Sequence, residues 1–184
     1  MKSRSNLVAM FIACLALASM VSLSAFAHRG DDKKDGKKTD QQAMRDSAWD
    51  ALQTLQGTWV KTEPGPDGKP SELVFKLTGN GSVLMETMFP GSKFEMQNAY
   101  HMDNDRLIVT HYCAQGVQPR MKLVSHENGT MKFDFLDGTN LKPGEGHMGG
   151  LEITVNGEQL IEKWSSIKDG QVTDATTFEF TKKG

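Results

Sequence analysis

The chain is poor in the features that staple a fold, bind polyanions or anchor in a bilayer. It has two cysteines in 184 residues. Cys14 falls in an amino-terminal apolar stretch that reads as a cleaved signal, so Cys113 is left without a partner and packing alone must hold the fold. Neither sign of charge dominates: 21 Lys and Arg stand against 23 Asp and Glu, a net charge of −2. That balance argues against nucleic acid as a partner. The one long apolar stretch, Leu7 to Leu23, is interrupted by Ser19 and Ser22 and is short for a bilayer span, so no stable membrane insertion is expected once it is removed. Cofactor fingerprints are missing too. The run Gly144-Glu145-Gly146-His147-Met148-Gly149-Gly150 has no strand-to-helix context, and Glu145 opposes an anion there. One Met-x-x-Met, Met85 to Met88, with no His-x-x-Met beside it does not make a soft-metal cluster, so no metal and no cofactor is expected.

The amino terminus instead carries an export pattern. Lys2 and Arg4 form a basic end, the apolar stretch follows, and Ala25-Phe26-Ala27 is an A-x-A cleavage site, so residues 1–27 are predicted to be a signal peptide with a mature start at His28. The expected location is outside the cytoplasm, periplasmic or extracellular. Residues 28–41 are charged and Gly-containing, with nothing to bury, and read as a disordered linker. Residues 42–184 then form one domain. Thr39 or Asp40 can cap a helix whose Met44, Ala48, Leu52 and Leu55 share one face, with Gly57 just beyond its end.

From Gly57 onward the sequence alternates apolar and polar residues in short runs closed by Gly- or Asn-containing turns. Strands are predicted at about 57–63, 71–78, 82–89, 94–102, 105–114, 119–126, 130–136, 150–155, 159–167 and 171–182. Ten consecutive hairpin-linked strands leave exposed edges unless they close, so the predicted fold is all-β, an antiparallel up-and-down barrel preceded by one short amphipathic helix. Loop length sets which side chains face inward. A three-residue Gly79-Asn80-Gly81 loop aligns Phe75 with Met85, and a two-residue Asp103-Asn104 loop aligns Asn98 with Val109 and Met96 with His111. A three-residue Glu127-Asn128-Gly129 loop aligns Leu123 with Phe133, a two-residue Asn156-Gly157 loop Ile153 with Leu160, and a three-residue Lys168-Asp169-Gly170 loop Trp164 with Asp174.

These registers place Met85, Phe94, Met96, Tyr100, Val109, Met121, Met131, Phe133, Phe135, Leu160, Trp164 and Phe178 inside, with Asn98, His111, Cys113, Glu162, Asp174 and Thr176 among them. An apolar wall with a few polar points suits a small-molecule cavity, and a methionine-rich one suits an adaptable cavity. The candidate ligand-binding residues are therefore Met85, Phe94, Met96, Asn98, Tyr100, His111, Cys113, Met121, Phe133, Glu162, Trp164 and Asp174, and the expected partner is a small apolar molecule. A filled barrel is the plain alternative. His111 and Cys113, two apart on one strand, are too splayed for a Cys–His nucleophile and read as a core histidine beside an inert thiol. A second alternative is an isomerase or hydrolase of a lipid-like substrate using His111, Glu162 or Asp174 as acid and base. A third is a haem- or metal-binding barrel using His111.

Gly57-Thr58-Trp59, after a short helix and opening the first strand, resembles the G-x-W signature of the lipocalins and the wider calycin group. With the meander that follows, the chain is similar to uncharacterised exported bacterial lipocalin-like barrels, in layout close to the ten-stranded fatty-acid-binding and nitrobindin-type proteins. The resemblance implies carriage of a ligand and no reaction. It departs from the lipocalin pattern in strand number, and no Arg follows the last strand, so that only Lys182 or Lys183 can cover Trp59.

Overall fold

A computed structural model describes residues 38–64 and 70–184. The predicted signal, 1–27, and the part of the predicted linker up to residue 37 lie outside the described residues. One helix, α1 (Asp40–Gln53), precedes ten strands: β1 (Gly57–Pro64), β2 (Pro70–Thr78), β3 (Val83–Met88), β4 (Met96–Asp103), β5 (Arg106–Tyr112), β6 (Gln118–Glu127), β7 (Thr130–Thr139), β8 (His147–Asn156), β9 (Gln159–Lys168) and β10 (Gln171–Lys182). All pair antiparallel with their sequence neighbours, and β10 returns to β1, so the wall is a closed up-and-down barrel. The sheet thus has no row of unpaired strands for another chain to extend.

Thr39 caps α1 through a capping box with Gln42, which begins the helix two residues before the expected domain boundary at 42. Its buried Ala48 and Leu52, followed by Leu55, close one end of the barrel, and α1 packs against β5 and β6. Trp59 lies under this end: it is 1% exposed, and its indole N–H donates to the Leu55 carbonyl at 2.7 Å. Lys182 supplies the missing cover, with Nζ 5.4 Å from the Trp59 ring centre and a hydrogen bond to the Thr54 carbonyl.

The pairing between β4 and β5 and between β8 and β9 is displaced by two residues from expectation: Asn98 faces His111 and Ile153 faces Glu162. A shift of two preserves which face each side chain takes. At β6 and β7 the alignment of Leu123 with Phe133 is as expected but is reached differently, by a tighter turn whose extra residue is absorbed in a bulge at Val124. A bulge at Thr173 likewise follows a tighter turn between β9 and β10, but there Trp164 faces Thr176 rather than Asp174, a displacement of two that keeps the face.

One register is displaced by a single residue, with larger consequences. The turn after β2 uses Gly79, Asn80, Gly81 and Ser82, so Phe75 faces Glu86 rather than Met85. This reverses β3: Leu84, Glu86 and Met88 point inward and are buried, while Met85 is turned out and only half-buried. Phe94 is likewise not in the wall, since it lies in the connection before β4 and is 36% exposed. Asp174 faces solvent on the outlying first half of β10, as does Thr176. Cys113 follows the last residue of β5 at the start of a turn, half-buried, its N–H bonded to the Val117 carbonyl.

The interior has two layers. Toward α1 it is apolar, with Trp59, Leu52, Leu55, Leu107, Leu160 and Phe180 all buried. At mid-height a polar group crosses the lumen. Beyond it lies the mouth, where Met96, Met148 and Phe178 are partly buried and Phe89 reaches across to Phe178, ring centres 6.0 Å apart and nearly edge-to-face.

Candidate functional site

The polar group is built from strands on opposite walls. β3, β4 and β5 contribute Glu86, Asn98, Tyr100 and His111, all at most 2% exposed; β9, four places away around the ring in either direction, contributes Glu162 and Trp164. Alternation explains how they converge. Asn98 and Tyr100 are two apart on one strand, as are Glu162 and Trp164, and Glu86 and His111 each stand opposite Asn98 in the ladder.

Their hydrogen bonds form a chain. His111 Nδ1 donates to Asn98 Oδ1 at 2.7 Å. The Asn98 amide donates to Glu86 Oε2 at 2.7 Å and lies 3.4 Å from the Met88 sulfur. Tyr100 donates to the same Glu86 oxygen at 2.7 Å. Across the lumen the Trp164 indole N–H donates to Glu162 Oε2 at 3.0 Å, and its ring lies against that of His111, centroids 4.9 Å apart. The other oxygen of each carboxyl, Glu86 Oε1 and Glu162 Oε1, accepts from no N–H or hydroxyl donor. The two carboxyls are close enough that the Glu86 charge favours keeping a proton on Glu162.

Burial governs the protonation of the group. Loss of solvent pushes Glu86 up to about 7 against the pull of Asn98 and Tyr100, and it pushes Glu162 well above the carboxylate range, with the neighbouring Glu86 charge adding to the rise. Burial also lowers His111 to about 4, which keeps the imidazole neutral at physiological pH. Tyr100 is raised for the same reason and stays a donor. The group is therefore anionic or neutral and holds no cation: among the described residues, no lysine or arginine is buried.

Of the residues expected to line a ligand site, Asn98, Tyr100, His111, Glu162 and Trp164 meet in this group, while Met121 and Phe133 are buried in the apolar wall around it. Met96 lies nearer the mouth. Met85, Phe94, Cys113 and Asp174 take no part. Glu86, which binds the group together, is the residue that reasoning from sequence missed. The only local signal for it was a second apolar alternation, Leu84 and Met88, flanking it at spacing two.

Open depressions lie outside this group. One of about 640 Å³ runs between α1 and the β5–β6 corner, lined by Met44, Arg45, Leu107, Leu123 and Val124 among others. Another, of about 330 Å³, sits between β1 and β10 beside Lys61, Glu63, Thr177 and Glu179. Neither is lined by the Glu86–Glu162 pair. Compared with protein-family models the chain matches none, and a search of curated proteins found no match either.

Proposed function

We propose that the chain is an exported, lipocalin-like binding protein that takes a small, largely apolar molecule into the mouth of the barrel and holds its polar end at the Glu86–Asn98–His111–Glu162 group. The observation that carries this reading is the polar group itself, buried across the lumen beneath a mouth of methionine and phenylalanine. Two buried carboxyls are a costly way to fill a barrel, since apolar side chains of similar volume are as stable or more so. Fixed polar points under an apolar wall are instead the usual make-up of a small-molecule site.

The group is buried from solvent, so entry requires side chains to move. Those above it are suited to moving. Met88, Met96 and Met148 are unbranched and adapt their shape at little cost. Phe89 is held at φ 55°, a left-handed conformation that a bulky residue adopts only under constraint, and its release would open the mouth beside Phe178.

The test is titration of the protein with the neutral fluorophore N-phenyl-1-naphthylamine. Saturable enhancement at about one site per chain, lost in Phe178→Asp, is expected; a linear, unsaturable response overturns the binding reading. Export is tested separately by mass spectrometry of the secreted or periplasmic protein, which is expected to begin at His28. A protein retaining Met1 overturns it.

A further inference from the structure

Every N–H donor in the buried group, and the Tyr100 hydroxyl, is already engaged. The His111 Nδ1–H, the Asn98 amide, the Tyr100 hydroxyl and the Trp164 indole N–H all have acceptors. What is left over is Glu86 Oε1 and Glu162 Oε1, fully buried, contributed by opposite walls and without a hydrogen-bond partner. A third acceptor, His111 Nε2, makes no hydrogen bond among the described residues. A guest bringing a carboxylate or phosphate would meet no free N–H and an unfavourable charge. A guest bringing N–H donors would meet these three acceptors once Glu162 gives up its proton.

Charge points the same way. With Glu162 protonated and Glu86 ionising at about 7, the pair becomes net negative above that pH, no lysine or arginine is buried among the described residues, and His111 is neutral. An unpaired buried charge is strongly unfavourable and is relieved by a cation placed against it.

From this surplus of acceptors we infer that the ligand class is an apolar amine, its protonated nitrogen held between the Glu86 and Glu162 carboxyls and its hydrocarbon body directed through Met88 and Trp164 toward the mouth. The inference rests on the binding reading above and narrows it to one head group. The nitrogen is a primary or secondary ammonium, because at least two N–H donors are needed to reach both walls. No covalent bond to the ligand forms; the Glu162 proton is released to solvent and the ammonium takes its place between two ionised carboxyls.

The experiment compares three probes that differ only in the head group: octylamine, octanol and octanoate, titrated by calorimetry into the protein at pH 7.5. Octylamine is expected to bind roughly tenfold or more tightly than octanol, with octanoate weakest. Glu162→Gln and Glu86→Gln should each remove most of that preference, bringing octylamine to within about threefold of octanol in the same variant. An independent arm needs no variant. The groups facing the pair are Asn98 and Tyr100 from β4, His111 from β5 and Trp164 from β9, none of them charged at neutral pH, so octylamine affinity should rise between pH 6 and pH 8 as Glu86 ionises, while octanol affinity stays level. If the three probes bind alike, or octanoate binds best, the amine assignment is overturned and the binding reading stands. If none binds, both fall.

Discussion

The two halves of the barrel interior are held by opposite means. Toward α1 the chain packs Trp59, Leu52, Leu55 and Phe180 into a sealed apolar plug whose one polar demand, the indole N–H, is met locally by Leu55. At mid-height it buries two carboxyls, a histidine, a tyrosine and an asparagine, and leaves one oxygen of each carboxyl without a partner. The first arrangement gains stability for every methylene it hides. The second sets desolvation against hydrogen bonds and ends near balance, so its presence is better explained by what it can recognise than by what it stabilises. One half is there to keep the barrel shut, and the other is where selection for chemistry would act.

The contrast breaks most sharply at Trp59. Trp59→Ala should cost about 3–5 kcal/mol in chemical denaturation, as other large-to-small core changes do; a loss below about 1 kcal/mol would mean that the plug is not the stabilising half. The pH dependence of stability tests the polar half. Glu86 and Glu162 have folded values above those of the unfolded chain, so their contribution is full below about 4.5 and is lost as pH rises toward 7 and beyond. His111 works against this: its folded value is lowered to about 4 from 6.5, so it favours folding increasingly as pH rises across that interval, by about 3 kcal/mol in total. His111→Gln removes the opposing contribution, and the fall in stability between pH 4.5 and 6.5 should steepen by about one proton. An unchanged slope would show that His111 is not held neutral.

A smaller effect is expected at Gly138, where an added Cβ would lie 2.9 Å from the Pro119 Cα and 3.0 Å from the Gln118 carbonyl oxygen. Backbone cannot step aside as a flexible side chain can, so Gly138→Ala should cost about 1–3 kcal/mol by thermal or chemical denaturation. The smallest concerns Val172, 69% exposed on the outlying part of β10. Val172→Thr should change stability by no more than about 0.5 kcal/mol, and a larger loss would mean that this end of β10 packs against something.

Most of the barrel was legible because its errors came in twos. The hairpins at Asn104 and Gly157 are misaligned by two residues in a reading from loop length, yet Asn98, His111, Glu162 and Trp164 keep the correct face. Bulges at Val124 and Thr173 are invisible in the sequence, and each restores the parity that its turn had changed. β3 was not recoverable in this way. Val83, Met85 and Thr87 alternate as plausibly as Leu84, Glu86 and Met88, and a lone Glu argues locally for the outward set. What turns Glu86 inward is the four-residue turn at Gly79 to Ser82, and what holds it there are the Asn98 amide and Tyr100 hydroxyl on the next strand, which the pattern within β3 does not show. Asp174 failed for the converse reason: its face is the inward one, but β10 leaves the wall before reaching it.

The seam that closes the barrel joins Trp59 to Lys182 and Val60 to Thr181, and the Lys183 amide donates to the Thr58 carbonyl beside them. The wall is thus completed by pairing residues more than 120 positions apart in the sequence. Until β10 has been made and has docked, β1 has one free edge and Trp59 has no lysine above it. Every other hairpin can form as it emerges, but closure is a single late, long-range event of the kind that limits folding rate. A nascent chain with this connectivity stays open until β10 is available, and losing the pairing of Lys182 and Lys183 with β1 would weaken the seam that closes it.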